Sequence, residues 1–208
     1  MTNPRDIVAA GWDSAGDAYL AWSLACDWEP RRRFLAEFLE LLPPGSDVLE
    51  IGCGAGLPAT QALAERFRVR ALDISAGQVE RARQNVPAAD FEVGDVMEIE
   101  LPAQGFDGIA AFYSLTHVPR EDHPDLYARI ASWLRPGGFF VASLGSRDNE
   151  GIVEEDWLGA PMFFSHFDAP TNRRLLFEAG FELVRDEVLA QPEHGEESRF
   201  LWVLARRM

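Results

Sequence analysis

The stretch that most constrains this chain is Asp47-Val48-Leu49-Glu50-Ile51-Gly52-Cys53-Gly54-Ala55-Gly56. Val48, Leu49 and Ile51 form a short apolar run of the kind a buried strand carries, and the glycines follow at once. Beyond them, Leu57, Ala62, Leu63 and Phe67 recur at helical spacing, which predicts a helix over 57–67. Strand, glycine turn and helix is how a doubly wound α/β sheet presents a nucleotide-like ligand at the carboxyl end of its first strand. Glycine suits the turn because a Cβ would hold the backbone off the ligand and disfavour a positive φ.

Glycine spacing separates two kinds of ligand. A dinucleotide fold places its glycines as G-x-G-x-x-G, whereas here they are Gly52, Gly54 and Gly56, with Leu at position 57. The acid ahead of the loop, Glu50, disfavours a pyrophosphate and tolerates a cation or a zwitterion. The segment Glu50-Ile51-Gly52-Cys53-Gly54-Ala55-Gly56 resembles the first motif of the class I S-adenosylmethionine-dependent methyltransferases, whose cofactor carries a sulfonium and an ammonium. The turn Leu134-Arg135-Pro136-Gly137-Gly138 before an apolar strand is a second point of resemblance. The likeness covers roughly residues 45–145 and does not reach the part that would hold a methyl acceptor.

Composition narrows the partners. The chain has 208 residues, enough for one well-buried α/β domain and short for two. Its formal net charge of −15 makes a nucleic acid an unfavourable partner. Arg31-Arg32-Arg33 is the one basic cluster and reads as the solvated start of a helix. All 19 basic residues are arginine, so there is no lysine for a Schiff base or a Walker-type loop. Cys26 and Cys53 suit neither a disulfide framework nor a zinc site, and no metal is expected. No apolar run approaches the ~20 residues of a membrane span, and the first residues have no signal pattern, so a cytoplasmic protein is expected.

The order of elements implies an α/β fold. It is a three-layer Rossmann-like sandwich around a seven-stranded, mostly parallel sheet with one antiparallel strand near the C-terminus. We divide a single domain, residues 1–208, into an N-terminal helical cap (1–44), a cofactor-binding core (45–145), a substrate cover (146–170) and a C-terminal helix and strand pair (171–208). Residues 69–73, 91–93, 106–112 and 139–144 read as further strands. Ser75 is placed to cap a helix to Asn85, and Thr171 another to Ala179. Residues 182–189 and 198–205 read as an antiparallel pair, and the turn between them carries Glu193 and His194. The dehydrogenase sheet lacks such a pair, which counts against a nicotinamide-dependent oxidoreductase.

Asp73 closes the second strand 21 residues after Gly52, where an acid accepts from a ribose diol. The resemblance implies that Asp95 takes the exocyclic amine of adenine and the Val96 amide a ring nitrogen, with Met97 either against the adenine face or filling core. It also implies that Gly52, Cys53, Gly54 and Gly56 cradle the cofactor with Glu50, and that Ile74 and Gln78 follow Asp73 at its edge. Past the fourth strand, Phe112, Tyr113 and Ser114 lie between its methionyl end and the acceptor. His117 is either a general base that also touches the cofactor or a structural turn residue. Trp12, Tyr19 and Trp22 either face cofactor or substrate or pack on the sheet. In the segment after strand five, Trp157, Met162, Phe163, Phe164 and Phe167 suggest an apolar wall, with His166 as its polar, candidate catalytic point; a satellite core or a dimer contact is the alternative. The implied function is methyl transfer from S-adenosylmethionine to oxygen or nitrogen of a small, apolar or aromatic acceptor. The alternative is a module that binds this cofactor and catalyses nothing.

Overall fold

The computed structural model describes residues 3–26, 29–193 and 196–208. Helix α1 (Pro4–Ala25) begins where the Asn3 side chain accepts from the Arg5 amide and Pro4 supplies a φ already suited to a first turn. Helix α2 (Glu29–Leu41) buries the stripe Phe34, Leu35 and Phe38. Then come β1 (Asp47–Ile51), α3 (Ala59–Ala64), β2 (Arg68–Asp73), α4 (Ala76–Asn85), β3 (Asp90–Val93) and β4 (Phe106–Ala111). The second half runs α5 (His123–Trp133), β5 (Leu134–Gly145), β6 (Asn149–Trp157), β7 (Ala160–His166), α6 (Ala169–Glu178), β8 (Phe181–Glu193) and β9 (Glu196–Arg207).

Seven strands form one sheet in the order β3-β2-β1-β4-β5-β9-β8, and only β9 runs against its neighbours. Alternating side chains feed two apolar layers. Leu49, Ile109, Phe140 and Leu201 meet α5 and α6, whereas Val48, Ala110, Val141 and Trp202 meet α2, α3 and α4. Their neighbours in sequence therefore point to opposite faces, which makes the fold the three-layer sandwich that the order of elements implies. No described helix is long and apolar enough to cross a membrane.

Several expectations are corrected locally. The helix expected over 57–67 is only α3, with Pro58 at its N-cap and Glu65 at its C-cap. The glycines expected to stop short of strand five lie inside β5: between the pairs Phe106–Leu134 and Gly108–Phe139 the longer strand bulges, with Gly137 at φ 79°. The cap of α6 is Asp168, which accepts from the Thr171 amide at 2.9 Å, so Thr171 is the recipient and not the cap. The segment assigned to a substrate cover, 146–170, holds the antiparallel ribbon β6–β7, whose two-residue turn Leu158-Gly159 has both φ angles positive, at 53° and 86°. The strands read as 182–189 and 198–205 extend to β8 and β9; His194 lies outside the described residues.

Helix α1 rests on the ribbon and on α4. A Cβ at Gly11 would stand 2.6 Å from the Pro161 carbonyl oxygen, and one at Gly16 would stand 2.8 Å from the Gln78 amide nitrogen. These glycines weaken α1 as an isolated helix and are what lets it approach both neighbours.

Candidate functional site

The chain runs from β1 outward to β3, then returns to β4 on the other side, so the switch point lies between β1 and β4. A cleft opens there at the carboxyl ends of the strands. The amides of Gly52 and Cys53 both donate to the Leu72 carbonyl, at 2.8 and 3.1 Å, folding the glycine loop back onto β2. Asp73 locks this arrangement: one carboxylate oxygen accepts from the Gly54 amide at 2.8 Å and the other from Ser75 at 2.9 Å. Each oxygen keeps a second lone-pair direction for a ligand hydroxyl. Ser114 crosses from the end of β4 and donates to the Ile51 carbonyl at 2.8 Å.

Two buried carboxyls face this cleft. Burial pushes Glu50 up to about 8, against the lowering influence of Thr60 and of the Arg31 guanidinium. Its Oε2 has no hydrogen-bond partner among the described residues. Burial also raises Asp73 to about 6, partly offset by the Ser75 and Gly54 amides. Arg31 is buried and lines the cleft, so its reading as a solvated helix start is corrected. Arg33 is engaged as well, donating to Glu187 at 2.8 Å.

Helix α1 covers the cleft and is tied down at two places. Arg5 bridges Asp95 (3.1 Å), Glu98 (3.1 Å) and Asp122 (3.3 Å). Asp13 accepts from the Ser75 hydroxyl at 2.6 Å and from the Gly77 amide at 2.9 Å, at the start of α4. Sequence reasoning missed Arg5 and Arg31 because each faces the cleft only after its helix has docked. The available signal was Glu50, an acid in a strand that reads as buried and so asks for a cation nearby.

Beyond α1 a second cavity of about 550 Å³ opens between the ribbon and the ends of β5 and β9. Trp12, Tyr19, Tyr113 and His117 line both spaces. Trp12 stands edge-on to Tyr19 at 4.9 Å, to Trp157 at 5.1 Å and to His117 at 5.5 Å, and Phe164 lies 4.8 Å from the His117 ring. Tyr113 adopts φ 57° at the end of β4, with its amide donating to the Ser143 hydroxyl and its own hydroxyl to Gln191. A positive φ on a bulky residue is costly, and these bonds hold it. His166 lines the second cavity, its Nδ1 2.6 Å from the Arg147 carbonyl.

Of the residues singled out by sequence, Cys53, Ile74, Gln78, Val96 and Phe112 line the cleft alongside Gly52, Gly54, Glu50, Asp73, Asp95 and Ser114. Gly56, expected to cradle the cofactor, instead packs toward α4 and its end, where a Cβ would stand 3.1 Å from Val86. Five others fall elsewhere. Met97 packs on the core with α5, which is the core-filling alternative. Trp22 lines neither space and meets Tyr19 at 5.6 Å. Met162 is buried against α1 beside Gly11, and Phe163, its neighbour on the opposite face of β7, is buried in the same apolar cluster and lies beside Gly151 of β6. Phe167 packs against the core under Arg120. Trp157, Phe164 and His166 remain on the second cavity.

A glycine loop, a bare buried carboxyl beside it and acids closing β2 and following β3 define a protein that binds a nucleoside with a positively charged arm. Comparison with known proteins agrees. A methyltransferase-domain family model matches residues 48–138. The chain is 40% identical over 104 residues to 27-O-demethylrifamycin SV methyltransferase of Amycolatopsis mediterranei, covering 47% of this chain and 38% of that protein. It is 30% identical over 176 residues to an S-adenosyl-L-methionine-dependent Diels-Alderase of Neonectria, covering 77% and 67%. The crystal structure of 1,6-didemethyltoxoflavin-N1-methyltransferase of Burkholderia thailandensis, with 1,6-didemethyltoxoflavin and S-adenosylhomocysteine bound, superposes with a TM-score of 0.71 at 24% identity, covering 100% and 91%. The chain spans 38% to 60% of the length of several curated methyltransferases it matches. The chain belongs to the class I S-adenosylmethionine-dependent methyltransferase family.

Proposed function

We propose that the protein is an enzyme that transfers the methyl group of S-adenosylmethionine to oxygen or nitrogen of a small molecule with an aromatic or apolar body. The observation that carries this reading is the junction: the nucleoside cleft and the aromatic cavity meet at Trp12, Tyr19, Tyr113 and His117. The residues fit the cofactor. Its ammonium finds the unpartnered Oε2 of Glu50, and its carboxylate finds Arg31. Asp73 suits the ribose diol, Asp95 and Val96 the adenine, and Ile74 and Gln78 the edge between them. Bound there, the cofactor supplies an electrophilic methyl on a sulfonium.

The chain's own part is positioning and exclusion of water. Holding acceptor and donor in near-attack geometry supplies most of the gain in such a displacement. Helix α1 and the aromatic walls keep out solvent, which would otherwise favour the charged ground state. The Amycolatopsis and Burkholderia relatives, by name, methylate oxygen and ring nitrogen of small molecules, in keeping with this acceptor class.

The Neonectria relative favours a second reading, a catalyst that needs the cofactor for a reaction other than methyl transfer. Calorimetry with S-adenosylmethionine, S-adenosylhomocysteine and NAD, followed by incubation with an acceptor panel, separates these. The expected result is binding of the first two and not of NAD, with S-adenosylhomocysteine formed in step with methylated acceptor. No binding of either sulfur compound removes both readings, and binding with acceptor conversion but no S-adenosylhomocysteine favours the second. Arg31→Met is expected to weaken S-adenosylhomocysteine by about tenfold or more, the loss of one charge-assisted contact, while leaving adenosine unaffected. Equal losses for both ligands would remove Arg31 from the amino-acid end.

A further inference from the structure

We propose that the acceptor atom arrives with its proton, as a phenolic hydroxyl or an aromatic N–H, donates that hydrogen to Nε2 of His117, and is never a carboxylate. This rests on the methyltransferase reading above and narrows its substrate class. Nδ1 of His117 lies 2.8 Å from the Phe163 carbonyl oxygen on β7. A carbonyl only accepts, so Nδ1 carries the hydrogen, and in the neutral ring Nε2 is left as an acceptor. No described residue donates to Nε2, and the ring stands where the two spaces meet.

The surroundings keep the ring neutral. Trp12, Trp157 and Phe164 lie around it, and the titratable group that faces it is His166 on the ribbon, a second potential cation and not a carboxylate. Burial lowers His117 to about 4. His166 is tied the same way, its Nδ1 to the Arg147 carbonyl, so its Nε2 is likewise an acceptor. The inner wall thus offers lone pairs and aromatic faces. A carboxylate oxygen set against Nε2 would bring lone pair against lone pair. Elsewhere the cavity is lined by Arg147, by Glu154 and by Arg199, which Glu197 holds at 2.9 Å, so Arg147 is where a carboxylate on another part of the acceptor would be met.

His123 supplies the contrast within the same turn. Its Nε2 donates to the carbonyls of Leu115 and Val118, both at 3.1 Å, and its buried Nδ1 has no partner among the described residues. That histidine holds the turn, whereas His117 is held by the ribbon with its outer nitrogen left over.

The step balances. As the acceptor oxygen or nitrogen forms its bond to the methyl carbon, its hydrogen passes to Nε2 of His117, and the electron pair of the broken carbon–sulfur bond stays on sulfur. The imidazolium then returns the proton to water. A weak base suffices, because the acceptor becomes strongly acidic only as the new bond forms.

The test uses the full chain and 6-hydroxy-2-naphthoate, which carries both candidate groups, with S-adenosylmethionine. The expected product is the methyl ether and not the methyl ester. In parallel, calorimetry measures 2-naphthol binding to the complex with S-adenosylhomocysteine. His117→Asn keeps an N–H for the Phe163 carbonyl but lacks the Nε2 acceptor. It is expected to bind S-adenosylhomocysteine, to hold 2-naphthol about tenfold more weakly and to methylate it about a hundredfold more slowly. The methyl ester as product, or unchanged naphthol affinity and rate in a variant that still binds S-adenosylhomocysteine, overturns the proposal. So does a wild-type complex that takes neither naphthol nor naphthoate. Failure to bind S-adenosylhomocysteine at all strikes the methyltransferase reading instead. The ether-against-ester outcome needs no variant, so it decides even if His117→Asn does not fold.

Discussion

Glu50→Gln is expected to raise the melting temperature of the ligand-free protein at pH 7.5 while weakening S-adenosylhomocysteine by about ten- to a hundredfold, the loss of a charged hydrogen-bond partner. Glu50 is held at about 8 by burial, above its ordinary 4.5. Below pH 4.5 both folded and unfolded chains carry the proton and Glu50 costs nothing. As pH rises from 4.5 to 8 the unfolded chain releases a proton that the folded one keeps, so stability falls through that window and levels off above it. At pH 7.5 the cost is on the order of 3–4 kcal/mol, and a glutamine removes it. Arg31 loses a countercharge in exchange, so a gain of about 5–10 °C is expected. Melting curves from pH 4 to 9 check this: wild type and variant should coincide near pH 4 and separate progressively to pH 8. A variant that melts lower at pH 7.5 would mean that Glu50 is already ionised and paired with Arg31. Affinity has its own pH signature. S-adenosylhomocysteine should bind wild type more tightly as pH rises from 6 toward 8, because Glu50 must lose its proton to meet the ammonium. It should weaken at higher pH, where the ligand's α-ammonium loses its proton; its own carboxylate holds that group above the range of a peptide amino terminus. The rising limb should be absent in Glu50→Gln.

Gly54→Val is expected to abolish S-adenosylhomocysteine binding, by about a hundredfold or more, and still leave a folded protein. Gly54 sits at φ 53°, and a Cβ there meets no heavy atom within 4 Å. The side chain would stand in the ligand's space, and the backbone would bear roughly 1–2 kcal/mol for a left-handed conformation. Two residues earlier the same change reads differently. A Cβ at Gly52 would lie 2.2 Å from Cβ of Ser114, the residue that ties β4 to the glycine loop. Gly52→Val should therefore lose stability as well as binding. Thermal melts beside calorimetry separate the two, and a Gly54→Val protein that binds normally would place the cofactor elsewhere.

The sheet was legible because its strands announce themselves twice: by apolar runs such as Val48–Ile51 and by glycines or acids at their carboxyl ends. Two such acids, Asp73 and Asp95, also marked the cleft. Three kinds of feature were not legible. Ribbon β6–β7 was hidden because its turn, Leu158-Gly159, places a leucine at a positive φ, and because β6 is exposed along nearly its whole length and so has no apolar alternation to read. Met162 looks like cavity lining in sequence because nothing local says that α1 will pack at Gly11 onto its face of β7. Arg5 and Arg31 are surface arginines to any local rule, and their partners lie on strands and turns far along the chain. Of these, the burial of Met162 and the setting of Arg5 were set by the docking of α1, which depends on the close approach at Gly11 and Gly16 and not on propensity.

One helix roofs two chambers. Trp12 and Tyr19 of α1 bear on both, and its fastenings at Arg5 and Asp13 lie on opposite flanks of the nucleoside cleft. Because the same two rings bear on both chambers, any change in how that one beam is seated would be felt in the two of them together.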